Sequence, residues 1–477
     1  MNTPSHSISL PHPGAPSPER LTFNLTPAAD RSVREDERSF ATAPEGKQRN
    51  WGYTGLLAFT AVLLLRPQDH LAALEPLHLA EVFAVIGIGP MILHRLSHPL
   101  PGFRVNVETV ALLVFGGVML ATAPFSIWPG GSIDEVINSY LKIVIVFVLM
   151  MNVLTTPERL GRLMWLIVLC TGVIAGLSVA NYARGINLVE GGRLAGPVGG
   201  IFGNPNDLAM NMVSFLPAAI VIALSRRQPA GRRAVAVVIA ALMVATIVFT
   251  KSRGGALGIV AALAAVALFG RWMRRGIGAI TIVAVLVSMP FLPDSFWARM
   301  VSIVDEEQDK QFTGSREARQ TVMQEGIDAF LEHPLTGVGV GQFKNYNPPE
   351  RKERWLETHN VLIQVAAETG FFGLIAFSFL IIAAAAAAIA TQRRVRYAMN
   401  RGDDTAGMLG EHVLGISAGL IGWFVCAMFA SVAYNWTFYY LLALVVAARE
   451  LARDRFPPPP QKRISVPRPA LFPVRAS

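Results

Sequence analysis

An all-α polytopic membrane protein of about twelve transmembrane helices, with one large outer loop containing short helices, is the fold this sequence predicts. Three observations carry it. Hydrophobic residues make up 52% of the 477 and charged residues only 16%, where soluble domains hold roughly a quarter charged. Apolar runs of membrane-crossing length recur along the chain. The basic residues segregate onto alternate connections. The same composition excludes a disordered chain, which would be apolar-poor. It also excludes a collagen-like one, because the 41 glycines and 31 prolines follow no period.

Residues 1–50 come first. They hold seven prolines, six acidic and six basic residues and no apolar period, and read as a disordered tail. No signal peptide is expected, since the apolar run starts only at Trp51 and no small-residue cleavage pattern follows. Spans are placed at 51–65, 77–94, 107–124, 133–154, 160–181, 205–224, 234–250, 254–270, 276–292, 360–390, 413–432 and 434–450. The run 360–390 is long enough to tilt or protrude. The last two runs nearly touch, as in a tight hairpin. Residues 451–477 form a basic, Pro-rich second tail. The layout is thus 1–50 tail, 51–292 spans one to nine, 293–358 outer loop, 359–450 spans ten to twelve and 451–477 tail.

Orientation follows from loop charge. With the N-terminus cytoplasmic, the inner connections 95–106, 155–162, 225–233, 271–275 and 391–412 carry fifteen arginines. The short outer ones carry five cations: Arg66, Arg184, Arg193, Lys251 and Arg253. Both termini are then cytoplasmic. The basic excess, net +9, is topological, so no nucleic-acid partner is expected. Cys170 and Cys426 lie inside apolar runs and read as buried small hydrophobes. No CxxC or HExxH spacing exists.

The outer loop 293–358 carries more acidic than basic residues and one amphipathic helix. Ser315 is its expected cap; Ala318, Val322, Ile327, Phe330 and Leu331 mark one face; Pro334 stops it. A loop of this length with its own helix is usually functional.

Outer cations that break the charge rule point to chemistry. Between spans five and six stands RLAGPVGGIFGNPNDLA, with Arg193 beside a glycine-rich backbone. Asn204 and Asn206 flank Pro205, and Asn206 or Asp207 can cap the following helix. A helix N-terminus with an arginine makes an anion site. TKSRGGALG puts Lys251 and Arg253 at a second such opening, where snorkelling explains one cation but not two. TGSREAR begins the loop helix with Arg316, while Arg319 reads as part of a solvated face. In LETHNVLIQVAAETGFFG, His359 stands where the loop re-enters the membrane. Its ordinary pKa near 6.5 suits proton transfer. Glu357 and Glu368 are the nearby carboxylates. Guanidinium pairs suit phosphates, and no Asp-rich metal motif lies on the outer side. The chemistry implied is transfer from a phosphate-bearing donor, with arginines on the leaving pyrophosphate and a base on the incoming hydroxyl.

At these residues the chain resembles the bacterial O-antigen ligase and polymerase superfamily of integral-membrane glycosyltransferases. The matching pieces are 193–209, 250–258, 313–343 and 358–377, and the resemblance covers roughly 51–450. It implies a metal-independent, inverting enzyme of the bacterial inner membrane, without cofactor. The donor is a glycan on undecaprenyl pyrophosphate at the periplasmic face. The acceptor is a hydroxyl of lipid A–core in ligases, or another lipid-linked glycan in polymerases of O-antigen or exopolysaccharide. Arg193, Arg253 and Arg316 would hold the pyrophosphate, His359 would activate the acceptor, and Asn204, Asn206 and Lys251 would support them. A secondary transporter for an organic anion is a competing class. Against it stand the lack of an internal repeat and the outer placement of the cations. A membrane scaffold leaves those cations unexplained.

Overall fold

The computed structural model describes residues 51–97, 104–189, 192–270, 297, 316–346 and 356–459. They are almost wholly helical. In chain order the main elements are α1 (Trp51–Leu65), α2 (Leu79–Ser97), α3 (Val107–Thr122), α4 (Pro129–Val153) and α5 (Pro157–Ala183). A two-stranded hairpin of β1 (Leu188–Val189) and β2 (Arg193–Leu194) follows. Then come α6 (Pro205–Leu224), α7 (Ala230–Thr250), α8 (Arg253–Phe269), α9 (Arg316–Glu332), α10 (Val361–Met399), α11 (Asp404–Ala427) and α12 (Trp436–Arg455). Eight helices of the described residues are long and apolar enough to cross a membrane. The expected span 276–292 lies outside the described residues, as do residues 1–50, 460–477 and 31 of the 66 residues of the 293–358 loop; residues 451–455, expected in the second tail, instead continue α12.

Local sequence sets the boundaries. Asn106, Thr156, Asn204, Ser252, Asn360, Asp403 and Asn435 each cap a helix, their side-chain oxygens accepting first-turn N–H groups. Pro157 and Pro205 occupy first helical positions, where no N–H is missed. The cap of α6 is therefore Asn204, not Asn206 or Asp207.

α12 forms the centre. From Thr437 to Ala448 every residue is buried, as expected of a helix apolar all round. Small residues bring its neighbours close. A side chain at Gly419 of α11 would strike the Ser214 carbonyl of α6, and one at Gly258 of α8 would strike Cys426.

Four boundary expectations change. α10 continues to Met399 and α11 starts at Asp404, so the connection is not 391–412 but 400–403. Gln392, Arg393, Arg394 and Arg396 extend the helix past its apolar part because Gln and Arg are good helix formers. The last two helices are separated by residues 428–435 rather than meeting. α4 begins at Pro129 and contains a π turn at Val136–Tyr140, which sets the Tyr140 hydroxyl to donate to the Leu112 carbonyl at 2.7 Å. Finally, α9 buries Val322 and Ala329 and presents Gly326 to Ile363, whereas Ile327 and Leu331 face outward. Val322, Gly326 and Ala329 define the packed face.

α10 is also broken. Its 39 residues contain Gly370 at φ 66°, ψ −164°. The segment PLTGVGVGQ fills the break. Val338 N donates to the Ala367 carbonyl at 2.8 Å, Gly339 N to Glu368 at 3.0 Å, and Phe371 N to Pro334 at 2.7 Å. Gly337 and Gly339 take φ of 67° and 111° against this backbone, a conformation that costs glycine little. The two glycine-bearing motifs of the outer loop and of α10 thus satisfy each other's peptide groups.

Candidate functional site

Five connections meet at one end of the bundle, tied by hydrogen bonds. Asp69 Oδ2 accepts from Gly199 N and from Arg66 Nε, both at 2.7 Å. Ile127 N donates to Val338 O at 3.0 Å. Asn211 Nδ2 of α6 donates to the Ile201 carbonyl and to Asp207 O, and its Oδ1 accepts from Thr437 of α12. The glycine-rich loop after Arg193 is therefore anchored at both faces.

Arg193 sits on β2. Its Nε donates to the Thr250 carbonyl at 3.1 Å and its Nη2 to Asn206 Oδ1 at 2.7 Å. The same Asn206 oxygen accepts from Ser252 Oγ at 3.0 Å. One amide thus links Arg193 to the cap of the helix that Arg253 begins. Lys251, buried at 9% exposure, takes φ 50° at the end of α7, a strained state for a long side chain. Its Nζ lies beside Gly192. Asn204 is occupied as the α6 cap, accepting from Asn206 N and Asp207 N at 2.9 and 3.0 Å. Arg193, Asn206, Lys251 and Arg253 form one group around two helix N-termini, where partial positive charge accumulates. Arg316 begins α9, and its side chain lies outside the described residues.

His359 is positioned from the other side. It takes φ 52°, and its N–H donates to Ser431 Oγ at 3.0 Å, which also meets Thr358 Oγ1 at 2.9 Å. Asn360 caps α10 and reaches the Met428 carbonyl, while Gln364 accepts from Ala433 N at 3.0 Å. The turn 428–435 is thereby sewn to His359. It also joins the arginine group: Phe429 packs on Gly254, and Cys426 Sγ donates to the Gly254 carbonyl.

Burial pushes the His359 imidazole down to about 4, and the positive Arg319 adds to this. The sequence expectation of a value near 6.5 and of a solvated Arg319 both change, because α9 lays Arg319 within Coulombic range of the ring. At neutral pH the imidazole is uncharged and free to accept a proton. Among the described residues, neither Glu357 nor Glu368 hydrogen-bonds it. Glu368 turns instead to Phe343 N, at 3.3 Å, and to Gln364. Burial raises the Glu357 carboxyl against the pull of Lys344.

Sequence reasoning missed Ser252 and Ser431, and read Arg319 as part of a solvated face without linking it to His359. Ser252 was detectable as a cap before an Arg-Gly-Gly opening; Ser431 carries no local signal.

No curated protein matches the chain. The family match spans three of the four motif pieces, those at 250–258, 313–343 and 358–377, and stops short of Arg193. Residues 238–378 match the family model described as O-antigen ligase, so this stretch of the chain is similar to that family.

Proposed function

We propose that the chain is a glycosyltransferase that moves a glycan from undecaprenyl pyrophosphate to a hydroxyl of lipid A–core, at the periplasmic face of the bacterial inner membrane. The observation that carries this reading is the Asn206 node, which fixes Arg193 against the α8 N-terminus that bears Arg253. Two guanidinium groups and two helix N-termini on one small region suit a pyrophosphate. They supply the charge stabilisation for which other transferases use a metal.

The step is a single displacement. The acceptor oxygen forms a bond to the anomeric carbon as the bond from that carbon to the phosphate oxygen breaks, with inversion. The acceptor proton passes to the neutral His359 imidazole and then to solvent. Undecaprenyl pyrophosphate leaves on the arginines. The charge distribution puts this end outside and both termini in the cytoplasm. Residues 293–358 then form the periplasmic loop between the membrane blocks 51–292 and 359–450. Arg316 is assigned to the same phosphate group on the motif resemblance alone. A polymerase would use the same machinery on a lipid-linked acceptor.

A deletion strain tests the reading through gels of lipopolysaccharide and secreted polysaccharide. Loss of every core-attached glycan band, with lipid-linked polymer accumulating, supports a ligase. Core carrying one repeat, or lost exopolysaccharide with intact lipopolysaccharide, identifies a polymerase. His359→Ala should lose about 10²–10⁴-fold in rate, and full rescue by it overturns the role of the histidine.

A further inference from the structure

A cavity of about 210 Å³ opens beside Thr358, the neighbour of His359, and Ser431, which accepts from the His359 N–H. It has room for about seven waters at roughly 30 Å³ each, the bulk of one sugar ring. Its chemistry is the opposite of the phosphate region. Glu135, Glu357 and Glu368 line it, with Lys344 as the cation. Gln364 and Tyr434 add an amide and a phenol, and Phe343 an aromatic wall.

The polar groups are fixed by the fold. Glu368, 3% exposed, is held by Phe343 N at 3.3 Å. Gln364 is fixed by Ala433 N. Glu135 precedes the π turn of α4 and stands against Gly341. The Tyr434 hydroxyl is buried against the Glu368 carboxyl. Three candidate occupants follow. A phosphate is repelled by the carboxyls. A metal ion is not favoured, since no group of three His, Cys, Asp or Glu among the described residues is placed to hold one. A polyhydroxylated ring fits: carboxylates accept from its hydroxyls, the phenol and amide hydrogen-bond it, and an aromatic face covers its C–H groups.

Resting on the glycosyl-transfer reading above, we infer that this cavity is the subsite for the acceptor's sugar ring and that it selects a neutral ring over a phosphorylated or uronic one.

Chemical protection tests this without relying on turnover. The two native cysteines are buried, so Glu135→Cys offers a thiol at the cavity for maleimide labelling of the full chain in nanodiscs. The probes are core oligosaccharide from the deletion strain, the free glycan from the donor lipid, and undecaprenyl pyrophosphate without sugar. Slower labelling with either glycan but not with the sugar-free pyrophosphate is expected. Protection by neither glycan, or by the sugar-free lipid, overturns the assignment. In parallel, Glu368→Gln should raise the acceptor KM about tenfold, the loss of one hydrogen bond, while donor KM stays near wild type. An unchanged acceptor KM overturns the subsite. Full activity of Arg193→Ala would instead sink the transfer reading itself, so the two failures are distinguishable.

Discussion

Arg449 and Arg193, at opposite ends of the bundle, are held differently. At the end opposite the site, two arginines meet carboxylates. Arg449 forms a two-pronged pair with Glu108 at 2.6 and 2.8 Å, and Glu108 is 1% exposed. Arg227 meets Glu411, which also accepts from Ser225. At the site end, Arg193 is oriented by an amide oxygen and a peptide carbonyl. Paired charges lock helices together. Amide and peptide oxygens orient the Arg193 guanidinium.

The largest expected effect contrasts the two. Arg193→Ala or Arg253→Ala should cut transfer by about 10²–10³-fold or more, because charge on the leaving group goes unstabilised. Expression, insertion and thermal midpoint should stay near wild type. Arg449→Ala should do the reverse. An uncompensated buried Glu108 costs about 3–5 kcal/mol, read as a lower midpoint, with the surviving folded fraction still active. Equal loss of stability in Arg193→Ala and Arg449→Ala would erase the distinction.

A smaller effect tests orientation. Asn206→Ala leaves every cation present but releases both Arg193 and Ser252. A roughly 10–100-fold loss in kcat/KM is expected, the usual consequence of freeing a group that aims another. Asn206→Asp keeps the acceptor and adds a charge that competes with the donor, so it should weaken donor binding rather than restore it. Wild-type kinetics in Asn206→Ala would show that the arginine needs no aiming.

What the residue string disclosed follows from range. Pro205 after Asn204 marks the start of α6 within the chain itself, and the expected and observed helices coincide at 205–224. Arg193, Lys251 and Arg253 were visible because they violate a charge rule that needs no structure. The end of α10 was misplaced because hydropathy marks the bilayer, whereas Gln and Arg continue a helix beyond it. On α9 the expected face holds at Val322, whereas Ile327 and Leu331 point outward and Gly326 and Ala329 complete the packing. Ser431 and Arg319 were out of reach for a different reason. They meet His359 from positions 72 residues downstream and 40 upstream, contacts fixed by helix packing that no local pattern encodes.

The smallest expected effect is on pH dependence, and it tests His359 as the proton acceptor. Its pKa in the fold is about 4, below the ordinary 6.5, first through burial and then through Arg319. Above about 4 the ring stays neutral and accepts a proton. The acid limb of kcat/KM, which reports the free enzyme, should therefore lie nearer 4 than 6.5. Arg319→Gln removes a cause of the depression and leaves burial in place, so the limb should move upward without reaching 6.5. Stability has the matching sign. An unfolded histidine takes up a proton below about 6.5 that the folded one refuses, so this residue makes folding less favourable as pH falls from 6.5 towards 4. Charge at the donor side should act against Arg319. A bound pyrophosphate brings negative charge and raises the imidazole pKa, so the limb of kcat should lie above that of kcat/KM. If the two limbs coincide in wild type and Arg319→Gln shifts neither, His359 is not the group that titrates, and the proton acceptor lies elsewhere in the site.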